Sequence, residues 1–255
     1  MDMFHAFILG IVEGVTEFLP VSSTGHLILA SRFLALPETE FLKTFEISIQ
    51  LGAILAVVVL YWRSLFLNSE IIKRLIIAFV PTAVIGLVAY KSIKSLLGSE
   101  AVVLWTLLLG GIALIVFELW HKEKEDDFEN VAILPYKTTF FIGLFQAIAM
   151  IPGVSRSGAT IVGGLLLGIK RKTIVEFSFL LAVPTMAAAT GLDLLKNVSS
   201  FSMDQFGVLS VGFVTAGIVA FISIKFLLRF VQMHTFIPFG VYRIALALCF
   251  FVFVL

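Results

Sequence analysis

The sequence predicts an all-α integral membrane protein, an inverted-topology repeat of six transmembrane helices plus two re-entrant helical hairpins. Three observations predict it. Hydrophobic residues make up 60% of the 255-residue chain and charged residues only 14%, against roughly 45–50% and 25% in soluble domains, and mean hydropathy is +1.08. The apolar segments fall into two sets of five, separated by one polar stretch. Each set opens on two short segments interrupted by Pro, Gly and hydroxyl residues, too short and polar to cross a hydrocarbon core of about 30 Å.

The first set covers residues 4–19, 23–36, 44–62, 71–90 and 101–120, and the second 138–151, 155–168, 174–195, 207–229 and 238–255. The last three of each set are long enough to span, at about 1.5 Å rise per residue. Pro20 and Gly25 break the first pair, and Pro152 and Gly153 the second. Non-helical backbone at membrane depth is tolerated only where it is buried in protein or lines a wet cavity, so each pair reads as a hairpin that dips in and returns. The most polar stretch, His121 to Asn130, reads as a solvated loop. One membrane domain results, with a first repeat over 1–120, a polar cytoplasmic loop over 121–137 and a second, inverted repeat over 138–255.

Residue matches support the repeat. At an offset of 133, Gly10 matches Gly143, Glu13 matches Gln146, Val21-Ser22 matches Val154-Ser155 and Gly25 matches Gly158; at an offset of 130, Glu46 and Ser48 match Glu176 and Ser178. Three crossings per half invert the second half, so the hairpins enter from opposite faces and meet near the midplane, a recurrent way to build a site inside a membrane. This topology puts Arg32, Lys43, Lys91, Lys94 and Lys196 on the side of the N-terminus and eleven Lys and Arg on the other, Lys170, Arg171 and Lys172 among them. The richer side is expected to be cytoplasmic, with both termini outside. Trp62, Trp105 and Trp120 read as interface anchors. No cleavable leader is expected at the N-terminus. A net charge of +1 without a basic cluster speaks against nucleic acid as a partner. The lone Cys249 cannot form an internal disulfide.

The chemistry concentrates at the two hairpins. Glu13 and Glu17 are one helical turn apart on one face; such a pair at depth can hold a hard divalent cation or pass a proton. Ser22, Ser23 and Thr24 lie where the chain must turn, able to cap a half-helix and still face a cavity. His26, three residues after Ser23, is within reach of that hydroxyl as a base or as a phosphate contact. Arg156 is the costliest residue to place in a bilayer. With Gly153, Ser155, Ser157 and Thr160 around a helix start, it makes an anion cradle. Pairing of Arg156 with Glu13 or Glu17 is the structural alternative, and it is compatible with the cradle. Glu46 is a further candidate for lining the site, whereas Asp193 and His234 read as structural.

Glu13-x-x-x-Glu17 followed by Pro20-x-Ser22-Ser23-x-Gly25-His26, with the later Pro152-Gly153-x-Ser155-Arg156-Ser157-x-x-Thr160, closely resembles the undecaprenyl-diphosphate phosphatase, or bacitracin resistance protein, family. Lys43-Thr-Phe-Glu46, Gln50-Leu51-Gly52 and Pro238-Phe-Gly-Val-Tyr242-Arg243 resemble it too, and the likeness covers essentially the whole chain. The resemblance implies a bacterial inner-membrane hydrolase with its site open to the outer side. It would cut undecaprenyl diphosphate, a polyprenyl diphosphate lipid, to the monophosphate and inorganic phosphate, recycling the carrier lipid for cell-wall synthesis and conferring bacitracin resistance. It further implies a divalent cation (Mg2+ or Ca2+) at Glu13 and Glu17, Ser23 and His26 acting at the phosphorus, and Arg156, Ser155, Ser157 and Thr160 holding the diphosphate. Whether Ser23 or a water attacks, and whether the protein forms a homodimer, are left open. The rival reading is a transporter or flippase for an anionic lipid, which would need the charges but release no phosphate.

Overall fold

The computed structural model describes residues 1–96, 99–124, 127–197 and 205–253, the side chains of 94, 192–197 and 253 excepted. Lys94, Asp193 and Lys196 therefore lie outside the described side chains, and residues 254–255 of the last expected segment outside the described chain. The helices are α1 (Met3–Thr16), α2 (Ser23–Phe33), α3 (Glu40–Phe66), α4 (Ser69–Val88), α5 (Tyr90–Leu96), α6 (Glu100–Trp120), α7 (Tyr136–Ile148), α8 (Arg156–Leu166), α9 (Arg171–Asn197), α10 (Phe206–Phe230) and α11 (Ile237–Phe253). Only the one-turn 3-10 helix Val131–Ile133 and an isolated bridge between Phe128 and Ile169 add other regular structure among the described residues.

Helix starts follow local capping chemistry. Thr39, Asn68 and Ser99 accept hydrogen bonds from backbone N–H groups in the first turns of α3, α4 and α6, satisfying donors that a helix N-terminus otherwise leaves orphaned. The expected short pairs are α1–α2 and α7–α8. α5 falls mostly outside the expected segments, in the stretch between 71–90 and 101–120, directly after α4 ends at Val88. Five described helices, α3, α4, α6, α9 and α10, are long and apolar enough to cross a membrane; α11 is a shorter apolar helix. Val59, Leu87, Val88, Leu119 and Phe226 on these helices are exposed, as is Phe4 on α1. So much exposed apolar surface suits lipid rather than water.

The halves pack into each other. α1 lies along α10, and its counterpart α7 lies along α4; α3 meets α9 and α10, and α6 meets α11. Matched glycines make both hairpin contacts: a Cβ on Gly10 would sit 2.7 Å from the Gly212 carbonyl oxygen, and one on Gly143 would collide with the Ala78 carbonyl. Phe18, at the end of the first hairpin's helix, packs edge-to-face on Phe179 of α9, centroids 5.4 Å apart. The main core gathers there, with Val21, Ile161, Phe177 and Leu181 fully or nearly fully buried. The polar loop is tied down as well as solvated: Lys170 pairs with Glu129, and Arg171 pairs with Glu118 and Glu123 while lying over the Phe236 ring.

Candidate active site

α1 ends at Thr16, and Glu17 continues its last turn with its N–H on the Glu13 carbonyl at 2.9 Å. The chain then turns through Phe18–Val21, and Ser22 adopts φ +72°, a left-handed conformation unusual for a residue with a side chain. α2 starts at Ser23 with no side chain capping its free N–H groups. In the second half Gly153 takes φ +84° at the matching break, 133 residues after Pro20, and α8 starts at Arg156 behind its cap Ser155, whose Oγ accepts from the Gly158 N–H at 3.1 Å. Two broken helices thus aim their positive N-termini at one place.

That place is a cavity of about 150 Å³ lined by Glu17, Ser22, Ser23, Thr24, Gln50, Ser155 and Arg156 beside Ala149, Val154 and Met186. Arg156 spans it. Its Nη2 donates to Glu17 Oε1 at 3.1 Å, its Nη1 donates to the Ser178 carbonyl at 2.9 Å, and its buried Nε has no partner. Ser23 Oγ donates to the other oxygen of Glu17 at 2.6 Å. Glu13 lies behind this pair, wholly buried, with neither carboxyl oxygen hydrogen-bonded, and Glu17, Glu46 and Arg156 are within electrostatic reach of it. Its match in the other half, Gln146, donates to Thr82 Oγ1 at 2.9 Å and to Thr185 Oγ1 at 3.0 Å. The carboxylate is thus kept only in the half that supplies Glu17.

Other candidates stand back from the cavity. Ser157 Oγ donates to the Leu19 carbonyl at 2.8 Å, fastening α8 to the first break. Thr160 shares a 2.6 Å hydrogen bond with Ser178 Oγ and also donates to backbone carbonyls. Gly153 packs on α6, where a Cβ would meet Val103 at 2.9 Å. Glu46 accepts from Ser31 Oγ at 3.4 Å. The expected approach of His26 to Ser23 is absent. His26 Nδ1 lies 2.7 Å from the Ser22 carbonyl and Nε2 2.7 Å from the Tyr242 hydroxyl, so both ring nitrogens are engaged elsewhere.

Sequence reasoning gave Arg243 no role beyond its place in the Pro238–Arg243 motif. It is 3% exposed, and its guanidinium donates to the carbonyls of Thr106 at 2.8 Å, Gly153 at 3.1 Å, Leu107 at 3.4 Å and Pro20 at 3.5 Å. Pro20 and Gly153 are the matched breaks, so one cation clamps both. An Arg inside an apolar segment was the available signal, since such a charge requires partners.

Fold and site together define a multi-pass membrane protein that gathers hydroxyls, carboxylates and an arginine around two opposed helix N-termini. A family model described as bacitracin resistance protein BacA matches residues 6–249, and the chain belongs to that family. It is 55% identical over 251 residues to an undecaprenyl-diphosphatase of Sulfurihydrogenibium sp. (strain YO3AOP1), covering 98% of this chain and 99% of that protein. It is 54% identical to one of Wolinella succinogenes, covering 98% and 97%, and 52% identical to one of Aquifex aeolicus over the full length of both.

Proposed function

We propose that the chain removes the terminal phosphate of undecaprenyl diphosphate, giving undecaprenyl phosphate and inorganic phosphate. The observation that carries the chemistry is the hydrogen-bonded line Ser23–Glu17–Arg156 at the meeting point of two helix N-termini; the relatives' shared activity and near-complete coverage support the substrate. Arg156 and the uncapped N–H groups of α2 bind the phosphate oxygens, a task suited to a planar guanidinium fork. As the phosphate enters, it takes over the one guanidinium donor that Glu17 holds, Nη2, and meets the unpartnered Nε. Ser23 Oγ attacks the terminal phosphorus and gives its proton to Glu17, the bridging P–O bond breaks, and the lipid monophosphate leaves. Water then cleaves the phosphoserine and releases phosphate. Such a transfer depends mainly on positioning and charge neutralisation.

A divalent cation fits the carboxyl end of this site. The two unpartnered Glu13 oxygens are the kind of buried acceptor a cation satisfies, and Glu17 is the neighbouring ligand. No group of three or more His, Cys, Asp or Glu side chains is assembled among the described residues. The ion would therefore complete its shell with water and phosphate oxygens, as Mg2+ does. When bound it would neutralise charge on the diphosphate.

The whole chain is read as one membrane domain of six crossings, α11 included, and two opposed re-entrant hairpins in a bacterial inner membrane. Both termini and the cavity face outside. The exchange of partners between halves, α1 on α10 and α7 on α4, supports the inverted repeat. All groups named come from a single chain, so the site does not require a homodimer.

The test is phosphate release from a long-chain polyprenyl diphosphate by purified protein in detergent. Stoichiometric monophosphate and phosphate are expected. Well-folded protein that releases none would favour the transport reading.

A further inference from the structure

His26 faces away from the cavity, and its contacts suit a structural brace better than an acid–base group. A carbonyl oxygen only accepts, so Nδ1 carries the proton and donates to Ser22 O at 2.7 Å. In the neutral ring Nε2 then keeps its lone pair, and the Tyr242 hydroxyl donates to it at 2.7 Å. The two rings are stacked, with centroids 5.4 Å apart and planes within 10°. The charged group beside the ring is Arg243, whose guanidinium is held by the Pro20, Thr106, Leu107 and Gly153 carbonyls.

The residue at the far end of this chain of contacts is Ser22, the one with φ +72°. A strained backbone persists only when its surroundings over-determine it, and the carbonyl that His26 grips belongs to that residue. Ser22 lines the cavity, and the uncapped start of α2 follows it directly. Tyr242 is itself an informative choice. The chain uses Phe 26 times and Tyr only four times. Tyr242 is 47% exposed on α11, next to exposed Val241, where Phe would satisfy lipid equally well. Its hydroxyl has a specific partner 216 residues away.

We propose that Tyr242 and His26 form a strut that holds Ser22 in its left-handed conformation, and with it the phosphate-binding start of α2. Both are positioning residues. The proposal rests on the phosphatase reading above, and wild-type activity tests that reading separately.

Two substitutions of one side chain separate a strut from a base. Asn places its amide N–H where His carries Nδ1, so His26→Asn keeps the donor to Ser22. Gln places its amide near the Nε2 position, so His26→Gln loses that donor. Phosphate release would be measured for wild type, both His26 variants and Tyr242→Phe, with kcat, KM, pH profile and melting temperature in detergent. Expected is a His26→Asn kcat within about tenfold of wild type, the cost of weakened hydrogen bonding, with the acidic limb of its pH profile unmoved. His26→Gln should fall by roughly a hundredfold or more. Tyr242→Phe should lose several-fold, mainly in kcat. Folded His26→Asn and His26→Gln proteins that are equally inactive, or loss of the acidic limb in both, would overturn the strut in favour of an acid–base role, whose removal typically costs 10²–10⁴. If His26→Asn does not fold, Tyr242→Phe decides alone, and wild-type kinetics there overturn the proposal. Wild type without activity would instead remove the phosphatase reading on which it stands.

Discussion

Arg156 donates to Glu17 across 139 residues of sequence, Nη2 to Oε1 at 3.1 Å, and so joins the broken helices of the two halves into one site. Both side chains are almost fully enclosed, at 11% and 7% exposed. A buried pair of this kind is weak evidence for stability, because desolvation offsets much of its attraction. Its value here is a guanidinium held ready, with Nε still unpartnered.

Arg156→Lys should keep the fold and lose most activity, by about a hundredfold or more, because an ammonium cannot present two parallel donors to phosphate. Steady-state phosphate release with a detergent melting curve checks it. Turnover near that of wild type would remove the cradle from the account.

Chelation should abolish release by wild-type protein, and added Mg2+ or Ca2+ should restore it. Glu13→Gln should raise the cation concentration needed for half-maximal rate by roughly tenfold or more, because one of two carboxylate ligands is lost. Cation titration of both proteins measures this, and an unchanged titration curve in the variant would take Glu13 out of the cation site.

Arg243→Met should destabilise the protein by roughly 2–4 kcal/mol, since four buried carbonyls lose a charged donor. Activity should fall with it as the two breaks loosen. A melting temperature within a degree of wild type would show that the clamp contributes little.

Gly10→Val and Gly143→Val should each weaken assembly, because a Cβ at either position meets a backbone carbonyl on the facing helix. Overpacking costs on the order of 1–3 kcal/mol. Lower yield and lower melting temperature for both variants would fit the matched contacts of α1 with α10 and α7 with α4.

With the six crossings and external termini proposed above, a C-terminal reporter should be active only where it works outside the cytoplasm. A reporter active only in the cytoplasm would sink the six-span topology.

Most of the fold is legible in the sequence because membrane segments announce themselves by composition: α3, α4, α6, α9 and α10 coincide with long apolar runs, and Pro20 and Pro152-Gly153 mark the breaks. The close approach of Glu17, Ser23 and Arg156 is legible for a related reason. Polar groups at depth must find one another, and few are available. What the sequence hides is direction and long-range pairing. His26 lies one turn from Ser23, yet its ring is turned to Tyr242 on α11, and no spacing rule reports a contact across 216 residues. Ser157 and Thr160 have the right chemistry for phosphate, but their hydroxyls are taken by Leu19, Ser178 and nearby carbonyls. Gln50 enters the cavity from α3 well before that helix's one non-helical residue, Tyr61, so no break marks it.

The most direct test of one phosphatase site built from both halves is phosphate release from undecaprenyl diphosphate by wild type, Ser23→Ala, Glu17→Gln and Arg156→Lys, side by side in detergent. The account expects rapid release by wild type and a loss of roughly two orders of magnitude or more in every variant, with all four folded. Release that survives in Arg156→Lys while Ser23→Ala and Glu17→Gln are inactive would contradict it, because the first hairpin would then act without the second.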